Sequence, residues 1–84
     1  MKEEFDFGEA LKRLREGKRV ERNGWNGKGM WLMLVNYWLP SRNDHLVEGM
    51  KMLPFIAMRT VQGDLVPWLA SQTDLLANDW SEAD

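Results

Sequence analysis

Trp25 is the residue with the clearest chemistry to offer. It sits in Gly24-Trp25-Asn26-Gly27, away from any periodic apolar face. Glycines on both sides let a second backbone or a ligand approach closely. An indole on such a turn is a stacking surface for a planar base, an interaction worth ~1–3 kcal/mol. The same ring can instead fold back and cap a core, so two roles stay open. Asn26 supplies an amide beside it. Gly24, Gly27 and Gly29 surround Lys28, but their spacing is neither GxGxxG nor GxxxxGKS. No long helix follows to aim its dipole at a phosphate. The segment reads as a tight, backbone-exposing turn to which Lys28 adds one charge.

Trp68 opens a second cluster. It precedes Ser71-Gln72-Thr73-Asp74, in which Ser71 is an N-cap and Asp74 stands at N3 of a capping box. An indole beside the N–H groups of a helix start suits a base or a phosphate. Ser71 and Asp74 also have a purely local use, closing the helix end. Asp79-Trp80 either joins this chemistry or locks the C-terminal segment onto a sheet. A catalytic set is not legible. The single His45 stands alone in a loop, no Ser-His-Asp spacing appears, and Asp74 and Asp79 pair only if the fold happens to join them.

Composition excludes much else. The 84 residues fit one domain, 1–84, of the size that hides only ~60–65% of its unfolded surface and gains from a partner. With 0 Cys there are no disulfides, thiolate metal sites or Cys nucleophiles, and one His builds no His-rich metal site. No cofactor is expected. The run Met30 to Val35 is far short of the ~20 residues that span a bilayer, and Met1 to Asp6 is acidic rather than leader-like. A net charge of −2 argues against a nucleic-acid polymer as partner. The five Trp exceed what a core of this size absorbs, which points some of them to a subunit interface or a ligand pocket. Charge is uneven. Residues 1–28 hold eight Lys/Arg and six Asp/Glu, whereas residues 60–84 hold five Asp/Glu and no Lys or Arg. Such halves either dock between subunits or simply keep the chain soluble.

The elements that must position these groups follow from local patterns. Residues 6–16 read as a helix, with Asp6 and Glu9 as a capping box, Phe7, Ala10, Leu11 and Leu14 as its stripe, and Gly17 just past its end. Arg19 to Arg22 is a short strand, and Met30 to Val35 a buried central one. Residues 36–54 form a long irregular loop. Phe55 to Val61 and Leu65 to Trp68 are strands joined through Gln62-Gly63-Asp64, and Pro67 marks the second as an edge. Asp74 to Asn78 is a short helix, and Asp79 to Glu82 an edge strand or frayed tail. The fold class is α+β: a small antiparallel β-sheet with an N-terminal helix and a short C-terminal helix.

Gly24-Trp25-Asn26-Gly27-Lys28-Gly29-Met30, taken with Val66-Pro67-Trp68-Leu69-Ala70-Ser71-Gln72-Thr73-Asp74-Leu75-Leu76-Ala77-Asn78-Asp79-Trp80, resembles the small phage and prophage anti-Thoeris immune-signal sponges. Phe7-Gly8-Glu9-Ala10-Leu11 and Gly17-Lys18-Arg19-Val20 match as well. The resemblance implies a non-catalytic, single-domain binder that sequesters glycocyclic ADP-ribose or a similar cyclic ADP-ribose signal. It further implies cyclic dinucleotides of the CBASS type as second ligands, assembly as a homotetramer, and action in the host bacterial cytoplasm. Carried onto these motifs, the ligand-binding residues are Trp25, Asn26, Lys28, Trp68, Ser71, Gln72, Asp74 and Asn78. Two alternatives belong to other classes. One is a Trp-rich protein–protein adaptor, and the other a small nucleotide hydrolase.

Overall fold

The computed structural model of the chain describes residues 2–25, 28–36 and 53–84. Asn26, His45 and nearly all of the expected 36–54 loop lie outside the described residues.

Helix α1 spans Phe7–Arg15, close to the expected limits. The Asp6 carboxylate accepts the Glu9 N–H at 2.9 Å. Glu9 does not complete the box. Its carboxylate accepts instead from Arg13 Nε at 2.9 Å, one turn on, because a guanidinium is the stronger donor. At the far end Gly17 takes φ +87°. Its N–H donates to the Leu14 carbonyl, and that of Lys18 to the Arg13 carbonyl, each at 3.0 Å. These two bonds form a Schellman closure, which needs a left-handed residue where the glycine stands.

Five antiparallel strands form one sheet in the order β4-β3-β2-β1-β5. They are β1 Val20–Arg22, β2 Trp31–Val35, β3 Phe55–Arg59, β4 Leu65–Pro67 and β5 Trp80–Glu82. β2 is the central strand, as its apolar run suggests, yet only Leu32 in it is fully buried. The expected burial of the run is met in full only at Leu32, because the described helix cover lies on one face. β3 and β4 form the expected hairpin. Gly63 at φ +95° allows its turn, and its N–H donates to the Thr60 carbonyl at 2.9 Å. Pro67 does lie on an edge strand, and pairing resumes after it, with the Trp68 N–H donating to Ile56 at 2.9 Å.

β5 is neither frayed nor bare. It pairs with β1 on one side, and Phe5 bridges Trp80 on the other. Between β4 and β5, helix α2 runs Gln72–Leu76 rather than Asp74–Asn78. The cap decides this. Ser71 Oγ accepts the Asp74 N–H at 3.1 Å, so the helix begins at the residue after Ser71, and Ala77 is already extended.

Register assigns the faces. Val20 pairs with Leu32, Leu32 with Met58, and Arg22 with Trp80, so these side chains share the face under α1. There Ala10 and Leu14 of α1 meet Val20, Leu32 and Trp80, all at 0% exposure. Burial of Leu14, Val20 and Leu32 contributes ~1.5–3 kcal/mol each, and Trp80 more through its larger area.

Candidate functional site

Three of the five indoles meet at one end of this core. Trp80 lies at its centre, with Phe7 at 5.2 Å, Trp25 at 5.4 Å and Trp68 at 6.0 Å between ring centroids. The last two contacts are near-perpendicular, the geometry aromatic quadrupoles favour. Trp80 is fully buried, while Trp25 and Trp68 remain partly exposed. Core packing therefore absorbs more indole than composition suggests, and it claims part of the Trp25 surface. Trp31 points to the opposite face of the sheet.

Asp74 is the hub beneath these rings. Its Oδ1 accepts from Arg22 Nη1 at 2.8 Å and lies 3.4 Å from the Trp25 indole nitrogen. Its Oδ2 lies 3.4 Å from the Ser71 backbone nitrogen, the second arm of the capping box. Its backbone carbonyl accepts from Trp80 Nε1 at 3.0 Å. Arg22 then reaches a second carboxylate, donating from Nε to Asp79 Oδ1 at 2.8 Å. Asp79 Oδ2 accepts the Gly24 N–H at 2.7 Å, and its carbonyl accepts the Asn23 N–H at 3.0 Å. A Cβ on Gly24 would stand 2.8 Å from Asp79 Oδ2, so the glycine is what lets this carboxylate in. The Asn23–Trp25 turn is thus tied to α2 and to the start of β5 by one guanidinium and two carboxylates.

Both carboxyl groups stay ionised well into acid. Burial pushes Asp74 up, but hydrogen bonds from Arg22, Ser71 and Trp25 together outweigh it and hold the group below its ordinary range. For Asp79 the Arg22 hydrogen bond dominates and lowers it, against burial, with help from the Gly24 N–H. The Arg22 side chain is 15% exposed and that of Asp74 14%. The pair is therefore shielded, with one net negative charge in the triad.

Of the expected ligand residues, Trp25, Ser71 and Asp74 are joined by hydrogen-bond geometry, and Trp68 joins them through the aromatic cluster. Lys28, Gln72 and Asn78 are exposed, and their side chains make no hydrogen bond or ion pair with other described residues. Asn26 lies outside the described residues. Sequence reasoning missed Arg22, which reads as an ordinary basic residue at a strand end. It left Asp79 unpaired for want of any local signal, since 57 residues separate it from Arg22. The two charge halves do dock, but within one chain. Besides Arg22, Arg13 donates to Glu82 at 3.2 Å and Lys18 stands 3.4 Å from the same carboxylate.

Comparison with known proteins sets this site in context. The Thoeris anti-defense 2-like domain family matches residues 5–83. Thoeris anti-defense 2 of Bacillus phage SP01 is 36% identical over 89 aligned positions, covering 95% of this chain and 96% of that protein. The chain belongs to the Thoeris anti-defense 2-like family. The match takes in every element from the Phe5 bridge to β5, so the Arg22–Asp74–Asp79 triad and the aromatic cluster both lie inside the family domain. Membership places the chain among anti-defence proteins of the Thoeris class. Among the described residues no helix is long and apolar enough to cross a membrane.

Proposed function

We propose that the protein binds and sequesters a cyclic nucleotide immune signal, glycocyclic ADP-ribose first, without cleaving it. The observation that carries this reading is family membership along nearly the whole chain. In it, Trp25 and Trp68 supply ring surface for adenine. Asp74 accepts from a ribose hydroxyl or an adenine amine, as acidic residues do in dinucleotide sites. Asn26, Lys28, Ser71, Gln72 and Asn78 are its further contacts. The net negative triad repels a diphosphate, so the base and sugar face Asp74 and the phosphates face away.

Cyclic dinucleotides form a second ligand class in this proposal. The active species is a homotetramer in the host bacterial cytoplasm. The absence of turnover has physical support. Asp74 and Asp79 are both held ionised by Arg22, so neither is poised to donate a proton near neutrality. An adaptor role is favoured by one feature, the exposed Leu69, Leu75 and Leu76 around α2.

One experiment separates the three classes. Protein is mixed with glycocyclic ADP-ribose, cyclic ADP-ribose or a cyclic dinucleotide, free ligand is removed, and the complex is heat-denatured. Recovery of the intact signal is expected. Recovery of an altered nucleotide assigns a hydrolase, and recovery of nothing leaves the adaptor.

A further inference from the structure

The face of the sheet away from α1 carries a different arrangement. Trp31 and Arg59 are directly paired across β2 and β3, so their side chains share that face. Arg59 is held by neutral groups. Its Nη1 donates to the Gly29 carbonyl at 2.6 Å and to the Thr60 carbonyl at 3.4 Å. Two left-handed glycines frame the guanidinium. A Cβ on Gly29, at φ +83°, would stand 2.9 Å from Nη1, and one on Gly63, at φ +95°, would stand 3.5 Å from Nη2. Arg19 lies on the other side of Trp31, its guanidinium carbon 4.3 Å from the ring centroid. Lys28 immediately precedes Gly29 and is exposed.

Among the described residues none of these three cations has a carboxylate within ion-pair distance, although Arg13, Lys18, Arg22 and Lys2 all do. Glu21, the acidic residue of β1, is taken by Lys2 at 3.1 Å. Lys12 and Arg15 of α1 are exposed and likewise without a carboxylate at that distance among the described residues, but on this sheet face the two arginines are also held in place, Arg59 by carbonyls and Arg19 by a ring. Carbonyls orient a guanidinium without cancelling its charge, and Nε and Nη2 of Arg59 remain as donors. An arginine fork held in this way matches the oxygens of a phosphoryl group.

We infer that Arg59, with Arg19 and Lys28, forms an oxyanion site for a phosphate or diphosphate group on the sheet face opposite α1. The site shares only Lys28 with the ligand contacts proposed above; Arg59 and Arg19 lie on the face away from the Trp25–Asp74 cluster, whose net charge is of the opposite sign, and they carry the inference without the sequestration reading.

Inorganic pyrophosphate is the probe, titrated calorimetrically into the full chain at two salt concentrations, beside cyclic ADP-ribose. Wild-type protein should bind pyrophosphate, more weakly as salt rises. Arg59→Gln should weaken binding at least tenfold. Arg59→Lys should restore only part of it, because one ammonium cannot grip the Gly29 carbonyl and present a fork. Lys28→Gln, in an exposed turn, should cost a few-fold with the fold intact by far-UV circular dichroism. The exposed Lys12 of α1 is the control, and Lys12→Gln should change nothing. No pyrophosphate binding by wild type overturns the site, as does an equal loss in Lys12→Gln and Arg59→Gln. Pyrophosphate binding without any cyclic ADP-ribose binding upholds this site while counting against the sequestration reading.

Discussion

Asp74 carries a cap, an ion pair and a ring contact on a single carboxylate. Asp74→Asn keeps the shape and one acceptor oxygen but turns the second oxygen into a donor. That donor faces either the Ser71 N–H or Arg22, and both are donors themselves. A hydrogen bond to a charged group is worth ~1.5–3 kcal/mol, so a loss of about 2 kcal/mol in stability is expected by chemical denaturation. Affinity for the cyclic ADP-ribose signal should fall about tenfold, or 1.4 kcal/mol, by isothermal titration. Lower stability with unchanged affinity would remove Asp74 from the binding set and leave it the cap. Acid tests the same residue differently. Asp74 and Asp79 titrate lower in the folded chain than in the unfolded one. Their contribution is therefore complete above the ordinary carboxylate range near ~4 and is lost as pH falls through the depressed folded values. Denaturation midpoints taken from pH 7 down to pH 2 should drop below about pH 4, and the drop should be shallower in Asp74→Asn.

At the scale of elements, the Asn23–Trp25 turn depends on Arg22 for its seat. Arg22 donates through Nε to one carboxylate and through Nη1 to another, a span no ammonium makes. Arg22→Lys should therefore preserve the charge and still release the turn. The indole N–H resonance of Trp25 should shift and exchange faster with solvent, while that of Trp80, bonded to a backbone carbonyl, stays in place. Equal movement of both would mean the core itself has loosened. This tie also marks where sequence reading ends. The α1 boundaries, the Gly17 closure, the β3–β4 hairpin, its edge proline and the Ser71–Asp74 cap are all local, set by residues within a few positions of one another. The carboxylate and ring contacts of Arg22, Trp25 and Trp80 span separations from 6 to 57 residues, and the longest have no local pattern. Trp25 illustrates the limit. Its glycine-flanked turn was legible, but its packing on Trp80 was not. The fold gives it the core-capping contact and still leaves part of the ring exposed.

Among the described residues of the whole molecule, the C-terminal acids are paired within the chain while apolar side chains stay outside. The acidic C-terminal residues Asp74, Asp79 and Glu82 are paired with arginines of the first 28 residues, so they offer little to a second subunit. What remains is greasy. Leu69 is 92% exposed and Leu76 77%, and Leu75 stands beside them. At the β2–β3–β4 end of the sheet, Val35, Phe55, Ala57, Leu65, Val66 and Pro67 line an apolar cavity of about 260 Å³. Scattered exposed leucines are ordinary in a monomer, but three in and beside one short helix, on a domain that also carries an apolar cavity, are the kind of surface an interface covers. A domain of 84 residues without disulfides has little stability to spare, and burying this surface between copies would add to it. Light scattering should therefore report a mass near four protomers at micromolar concentration, held over a tenfold dilution. Leu69→Glu places a charge on a side chain that touches almost nothing within the chain. A monomer should tolerate it with an unchanged far-UV spectrum, whereas an assembly that buries Leu69 should fall apart into smaller species. A monomeric wild type would rule out any pocket shared between subunits and leave Trp25, Trp68 and Asp74 to hold the ligand within one chain.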